Sequence, residues 1–255
     1  MNKEAILPYF KFQGKNIFFK VKGEGPLLII LPGNTASSAA HENELNHYSD
    51  RYCVAAIDFL GTGKSDRMKK WSSDWWEESS NQIAALIEHL DYKEATLLGI
   101  SGGAIIAIAT AINYPEYVKA VVADSFSLHF TEEMYRNNVL HERSSITEQQ
   151  QMFWSSMHGS DWQDVVNADT EMIGMVVKNG GSCINGAPEK IKCPVLLTYS
   201  ENDSFLPNVK NIAAELGNKI SNCKIQLFTN GDHPLIWTNP TEFFQAADEF
   251  LSDCK

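Results

Sequence analysis

Short hydrophobic runs recur along the chain, and most of them end at glycine, proline or a polar turn. Leu27–Leu31 and Cys53–Ile57 are wholly apolar and end at Pro32-Gly33 and at Asp58. Uninterrupted apolar runs of this kind predict strands that are buried on both faces of a sheet. Similar runs of apolar, aromatic or β-branched residues predict further strands at 16–22, 95–100, 118–123, 195–199 and 224–228.

Positions at helical spacing lie between the predicted strands. Residues 75, 79, 83, 86, 87 and 90 predict one helix, with Asp74 at its N-cap. Residues 102–113 are almost wholly apolar, as expected of a central buried helix, and 240–251 predicts a closing helix. Strands that alternate with helices imply an α/β fold with a mostly parallel central sheet and helices on both faces.

The stretch 126–186 departs from this alternation. It contains helical patterns but no clear buried strand, and it is rich in methionine and aromatic residues. We therefore interpret 126–186 as an inserted helical cap on a core domain formed by 1–125 and 187–255. The methionine and aromatic content predicts that this cap covers a mainly apolar pocket.

Composition narrows the classes of partner and compartment. The net charge of -11 argues against a nucleic-acid partner, because phosphate binding needs clustered lysine and arginine. Residues 1–8 lack the apolar run of a signal peptide, and no apolar stretch is long enough to span a membrane. The five scattered cysteines include no CxxC pair, which indicates reduced thiols, a cytoplasmic location and no metal site. Oligomeric state is left open.

The segment Gly99-Ile100-Ser101-Gly102-Gly103 fits the pattern G-x-S-x-G. It follows a predicted strand and precedes the apolar helix. In that context the serine sits on a sharp turn with its Oγ above the sheet edge. The N-terminus of the following helix favours developing negative charge. We predict that Ser101 is a catalytic nucleophile.

A nucleophilic serine needs a general base, and His233 is the predicted one. It lies just after the last predicted strand and before the closing helix. The other six histidines are predicted to lie on helix surfaces or in the cap. Among them, only His41 and His129 are kept as candidates for lining a pocket.

The third catalytic residue orients the imidazole and stabilises its charged form. Asp203 follows a predicted strand and completes the chain order Ser, Asp, His that this type of site uses. Asp124 ends another predicted strand at the same sheet edge and is the alternative acid. Asp232 adjoins His233, where two side chains rarely meet in the required geometry, so we interpret it as a turn residue. We predict that Asp203 is the acid.

Acyl transfer also needs two backbone N–H groups as an oxyanion hole. One is expected from Gly102, directly after the nucleophile. The other is expected from the loop after the 27–31 strand, where we choose Asn34. This chemistry implies no metal and no organic cofactor.

The segment Gly61-Thr62-Gly63-Lys64-Ser65 looks like the end of a phosphate-binding P-loop. That motif needs glycine at position 58, where Asp58 would instead repel phosphate. We therefore interpret the segment as a tight turn in which Asp58 has a structural role.

These residues together resemble the α/β-hydrolase superfamily over nearly the whole chain. The segment 58–65 fits the Asp-x-x-Gly-x-Gly-x-Ser pattern that often follows the fourth strand in that family. Residues 99–103, 201–203 and 231–233 fall where the family places nucleophile, acid and base. The resemblance implies the α/β-hydrolase fold and a serine hydrolase. Members with an aspartate nucleophile, such as epoxide hydrolases and haloalkane dehalogenases, are disfavoured because position 101 is serine.

Within the superfamily, Leu31-Pro32-Gly33, the segment 113–117 and the cap length resemble the branch of valacyclovirase and the biphenyl hydrolase-like proteins. Valacyclovirase has an acidic residue after its nucleophile that recognises the substrate amino group. Gly102 stands at that position here, so recognition of amino-acid esters is not implied.

The expected activity is hydrolysis of a carboxylic ester or related acyl bond in a small, largely apolar substrate, through an acyl-enzyme on Ser101. The alternatives are hydrolysis of a thioester, lactone, peptide or carbon–carbon bond on the same three residues. A different class is a ligand-binding or signalling protein of the same fold with low turnover. Specificity lies in pocket shape, so substrate-binding residues are not assigned from the sequence.

Overall fold

The computed structural model describes residues 8–254, which fold around an eight-stranded sheet. The strands are β1 (Tyr9–Phe12), β2 (Lys15–Lys22), β3 (Leu27–Leu31), β4 (Cys53–Ile57), β5 (Ala95–Ile100), β6 (Val118–Asp124), β7 (Val195–Ser200) and β8 (Cys223–Phe228). Their order across the sheet is β1-β2-β4-β3-β5-β6-β7-β8. The pairs β1/β2 and β2/β4 are antiparallel, and every other pair is parallel. Residues 1–7, in which no targeting signal is predicted, lie outside the described residues.

Helices cover both faces of this sheet. They are α1 (Glu42–Tyr48), α2 (Trp75–His89), α3 (Gly102–Asn113), α4 (Glu132–Met134), α5 (His141–Ser144), α6 (Glu148–His158), α7 (Trp162–Lys178), α8 (Val209–Gly217), α9 (Leu235–Thr238) and α10 (Pro240–Asp253). Helices α1 and α10 pack on one face, and α2, α3 and α8 pack on the other.

Strand β3 illustrates how the sequence produces this arrangement. Leu28 and Ile30 pack in the cluster with α1 and α10, whereas Leu27, Ile29 and Leu31 pack in the cluster with α2 and α3. Successive side chains of a strand point to opposite faces, so a strand covered on both sides must be apolar throughout. The predicted fold class, with a mostly parallel sheet and helices on both faces, is confirmed.

The predicted strands are all present, and three of them, at 27–31, 53–57 and 95–100, have the predicted bounds. Strand β1 was not predicted from the sequence. It is four residues long, lies at the sheet edge and buries only Phe10, which is too little for a hydrophobic pattern to register. Asp74 occupies the N-cap position of α2, but its side chain makes no capping hydrogen bond.

The chain between β6 and β7 forms a helical layer above the carboxyl ends of the strands. Helices α4 to α7 lie there, with a π-helical turn, Tyr135–Leu140, joining α4 to α5. His129 and Ser182, near the two ends of this stretch, pair in an isolated antiparallel β-bridge. The predicted boundaries at 126 and 186 enclose these elements. We call residues 126–186 the cap and the rest of the described chain the core, and the division into two domains stays a prediction.

No helix among residues 8–254 is long and apolar enough to cross a membrane. All five cysteines are free thiols, and none is paired in a disulfide.

Candidate active site

Ser101 sits on the turn between β5 and α3. Its backbone has φ 53° and ψ -119°, a conformation that costs energy for a residue with a Cβ and is typical of a strained functional turn. The turn is possible because Gly99 and Gly103, two residues away on either side, lack side chains. A Cβ at Gly99 would lie 2.5 Å from the carbonyl oxygen of Gly103, and a Cβ at Gly103 would lie 2.0 Å from that of Leu31.

Three predicted side chains meet in a hydrogen-bonded chain. Ser101 Oγ lies 3.0 Å from Nε2 of His233. On the other side of the ring, His233 Nδ1 lies 2.9 Å from Oδ2 of Asp203. These distances are within the range in which a hydroxyl can pass its proton to an imidazole held by a carboxylate.

The loop after β7 holds the acid in place. The backbone N–H groups of Phe205 and Leu206 donate to Asp203 Oδ1 at 2.9 and 2.8 Å, which leaves Oδ2 free for His233. The Phe205 ring stacks on the imidazole with centroids 4.9 Å apart. Both contacts fix the plane and direction of the histidine ring.

Asp232 is placed as a turn residue. Its Oδ1 accepts the backbone N–H of His233 at 2.8 Å and that of Ser204 at 2.7 Å. It therefore ties the loop that carries the histidine to the loop that carries Asp203.

Asp124, the alternative acid, lies elsewhere in the network. It is fully buried, and its two carboxylate oxygens accept from Thr198 Oγ1 at 2.7 Å and from the backbone N–H of Ile236 at 3.1 Å. Burial raises the pKa of Asp124 to about 7, against the lowering effect of these hydrogen bonds. Its contacts anchor α9 just after His233 rather than the imidazole itself.

The two predicted oxyanion donors lie beside each other. A Cβ added to Gly102 would lie 3.1 Å from the backbone nitrogen of Asn34 and 1.7 Å from its Oδ1. Only glycine at position 102 leaves room for the Asn34 side chain. That side chain accepts from Trp76 Nε1 at 2.9 Å and donates from Nδ2 to Asp169 at 2.7 Å.

A cavity of about 900 Å³ opens around Ser101 and His233. Much of its wall is aromatic, formed by Trp76, Phe130, Phe153, Trp154, Phe205 and Trp237. The cap contributes a polar side with Asn138, Glu142, Arg143 and Gln150. Sequence reasoning did not assign these lining residues, because they come from four separate segments of the chain.

Two histidines correct the sequence interpretation: His158, predicted to lie on the surface, is buried, and His41, a candidate for lining the pocket, is buried outside it. His158 is hydrogen-bonded through both ring nitrogens. His41 is fully buried and lies behind the cavity wall, with its ring centroid 5.7 Å from that of Trp237. His129, the other pocket candidate, is exposed, and neither His41 nor His129 lines the cavity.

In the Asp58–Ser65 turn, backbone N–H groups are hydrogen-bonded to groups of the protein itself. Asp58 is buried, and its carboxylate accepts the N–H groups of Ser38 and Lys64, both at 2.7 Å. The N–H of Gly63 donates to Nδ1 of His158 at 2.9 Å. The amides that a phosphate would need are therefore engaged within the protein, in agreement with a structural turn. Within the described chain, no three His, Cys, Asp or Glu side chains are grouped to hold a metal ion.

A sequence model of the alpha/beta hydrolase fold family matches residues 26–148. The serine hydrolase BPHL of Mus musculus is 25% identical over 253 residues, which cover 93% of this chain and 84% of the relative. The pimeloyl-[acyl-carrier protein] methyl ester esterase of Vibrio parahaemolyticus is 24% identical over 261 residues, covering 93% and 99%.

Among solved structures, the meta-cleavage product hydrolase CumD of Pseudomonas fluorescens IP01 superimposes with a TM-score of 0.78. The match covers 95% of this chain and 96% of that one at 20% identity. A likeness at this identity concerns the fold, and the fold is that of the α/β-hydrolases.

Proposed function

We propose that this protein is a serine esterase of the α/β-hydrolase superfamily, which cleaves carboxylic esters of small, largely apolar substrates. The observation that carries the proposal is the hydrogen-bonded chain from Ser101 Oγ through His233 to Asp203. It opens into a cavity large enough for a small-molecule substrate.

In the proposed reaction, His233 Nε2 takes the hydroxyl proton as Ser101 Oγ attacks the ester carbonyl. Asp203 holds the ring and stabilises its charged form. The N–H groups of Gly102 and Asn34 donate to the oxyanion of the tetrahedral intermediate. The intermediate collapses as His233 protonates the departing alcohol, which leaves an acyl-enzyme on Ser101. His233 then takes a proton from water as that water attacks the acyl carbonyl. The second tetrahedral intermediate collapses as His233 gives this proton to Ser101 Oγ, which releases the acid and restores the serine.

The chemistry of the cavity supports the substrate class. Its aromatic wall favours an apolar acyl or alcohol group, and the polar side from the cap offers hydrogen bonds to a distal group. An esterase among the relatives supports the ester bond. Gly102 leaves no acidic group after the nucleophile, so amino-acid esters are not favoured. The scattered, unpaired cysteines also support the proposal of a cytoplasmic enzyme.

Labelling with a fluorophosphonate probe tests the nucleophile. Wild-type protein should form a covalent adduct on Ser101, and Ser101→Ala should not label. Equal labelling of the two proteins would show that another residue is reactive.

A substrate panel tests the reaction class. We expect p-nitrophenyl or naphthyl esters of short to medium acids to turn over faster than thioesters, lactones, peptides and vinylogous diketones. Preferred turnover of any other class would replace ester hydrolysis with that reaction. No turnover across the panel, together with tight binding of one of its members, would favour the low-turnover binding protein.

A further inference from the structure

The loop that carries Asn34 is held mainly by side chains of the cap. This loop, residues 32–37, follows β3 and lies beside Ser101, since a Cβ on Gly33 would come within 3.2 Å of the serine Cβ. The position of the Asn34 N–H therefore depends on how this loop is fixed.

Thr35 adopts a backbone conformation that needs external support. Its φ is 57°, in the left-handed region that a β-branched residue rarely enters. Two cap residues form hydrogen bonds with it. Trp154 Nε1 donates to Thr35 Oγ1 at 3.1 Å, and His158 Nε2 donates to the Thr35 carbonyl oxygen at 2.9 Å.

His158 also contacts the Asp58–Ser65 turn of the core. Its Nδ1 accepts the backbone N–H of Gly63 at 2.9 Å. Both bonds are satisfied by one neutral tautomer, with the proton on Nε2. Burial lowers the pKa of His158 to about 4, so the ring is neutral at physiological pH.

Asp169 of α7 fixes the side chain of Asn34, the residue before Thr35 in the loop. Its Oδ1 accepts from Asn34 Nδ2 at 2.7 Å, and its Oδ2 accepts from Arg143 at 2.7 Å. The carboxylate is fully buried. Neither Asp169 nor His158 lines the cavity, so neither is placed to contact a substrate.

We infer that His158 and Asp169 are positioning residues for the oxyanion hole, and that the cap stabilises the transition state through them. Trp154 assists from the cavity wall. The cap thus does more than shape the pocket, because it holds the Asn34 N–H at the site where charge develops. This inference rests on the proposed function.

Two variants, each of which alters a different contact of the Asn34 loop, test this inference. His158→Gln keeps a donor toward Thr35 but lacks the Nδ1 acceptor for Gly63, and Asp169→Asn places an amide opposite Asn34 Nδ2. Val176→Ala is the matched control, since Val176 is a buried cap residue of α7 outside the cavity lining and the oxyanion-loop contacts. For each protein we would measure kcat and KM on the best ester, the melting temperature, and the Ki of a phenylboronic acid that forms a tetrahedral adduct on the serine.

The expected result separates positioning from simple stability. In His158→Gln and Asp169→Asn, kcat should fall by about 10–100-fold, less than the 10²–10³-fold loss of a whole oxyanion donor. The boronic acid Ki should rise by a similar factor, while KM changes by less than about 3-fold. Val176→Ala should lower the melting temperature but leave kcat within about 2-fold of wild type.

Three outcomes would overturn the inference. The first is wild-type kcat and boronic acid Ki in folded variants. The second is a rise in KM alone. The third is a kcat loss that Val176→Ala reproduces at an equal drop in melting temperature. Should either cap variant fail to fold, Trp154→Phe, which removes the bond to Thr35 Oγ1, is judged by kcat and by the ratio of boronic acid Ki to KM, because Trp154 also lines the cavity. If wild type neither labels with fluorophosphonate nor turns over any ester, the proposed function itself fails and takes this inference with it.

Discussion

At the scale of single residues, Gly102 combines two requirements at one position. In the proposed mechanism it supplies an N–H beside Ser101, and it must lack a Cβ because Asn34 Oδ1 occupies the space. The amide of Asn34 in turn bonds Trp76 and Asp169, so it cannot turn aside without losing both partners.

We predict that Gly102→Ala lowers kcat by about 10²–10³-fold, the cost of losing an oxyanion donor, because the new methyl group displaces Asn34. Steady-state kinetics on an ester measures this effect. The double variant Gly102→Ala with Asn34→Ala removes the 1.7 Å overlap with Oδ1 and leaves only the 3.1 Å contact with the backbone nitrogen, so it should recover most of the kcat of Asn34→Ala alone. A double variant as inactive as Gly102→Ala would contradict this explanation.

The choice between Asp203 and Asp124 as the acid is also tested at the residue scale. We predict that Asp203→Asn lowers kcat by about 10³–10⁴-fold, because an amide opposite Nδ1 favours the wrong imidazole tautomer. Asp124→Asn should retain most of the wild-type kcat, since the contacts of Asp124 go to Thr198 and Ile236. The reverse ranking would assign the acid role to Asp124.

At the scale of elements, Asp124 links the end of β6 to the neighbouring strand β7 and to the start of α9. Ser125 adds a second anchor, since its Oγ accepts the N–H of Leu235 at 2.9 Å. These bonds hold α9, the helix just after His233, against the end of β6. The carboxyl ends of β5, β6 and β7 thereby cooperate at one edge of the sheet.

Burial gives Asp124 a predictable effect on stability. Its pKa is about 7 in the folded protein and near its ordinary value of 3.8 when unfolded. The folded state therefore binds the extra proton between these values, and the stability from this group is lost as pH rises through 7. We predict that the melting temperature of Asp124→Asn relative to wild type rises from pH 5 to pH 8.

The rise should be at least about 2–4 °C, the shift expected for 1 kcal/mol in a domain of this size. Thermal melts at both pH values measure it. Asp232→Asn is a suitable control, because the pKa of Asp232 is lowered and its carboxylate stays charged over this range. An equal offset for Asp124→Asn at both pH values would contradict a raised pKa.

At the scale of the whole molecule, the cap is joined to the core by buried polar contacts. Arg143 and Asp169 form an ion pair at 2.7 Å within the cap. Asp169 also accepts a hydrogen bond from Asn34 of the core. Breaking a buried pair leaves one charge without a partner, which is far more costly than losing an exposed pair.

We predict that Arg143→Gln destabilises the protein by about 3–5 kcal/mol, because Asp169 is left buried and unpaired. Burial already raises the pKa of Asp169, and without Arg143 it rises further, so the loss should be larger at pH 8 than at pH 5. Chemical denaturation at the two pH values measures both effects. The control is Arg136→Gln, which removes an exposed pair with Glu132 and should cost less than about 1 kcal/mol. Equal losses in the two variants would count against a buried pair.

Local patterns in the sequence determined much of this protein. The apolar runs predicted the buried strands, and G-x-S-x-G between a strand and a helix located the Ser101 turn, because hydrophobic period and turn chemistry depend on neighbours in the chain. Strand ends placed Asp203 and His233 at one sheet edge, although Asp124 remained open as the acid.

Tertiary structure alone decided the rest. Whether Asp203 or Asp124 faces His233 depends on packing among three strand ends. The burial of His158 depends on a contact with Thr35 across 123 positions, and that of Asp169 on a contact with Asn34 across 135. No local pattern encodes such partners, because each is polar in isolation and becomes buried only when the cap closes on the core. The four-residue edge strand β1 was not predicted for a different reason, because its hydrophobic pattern is too short to indicate a strand.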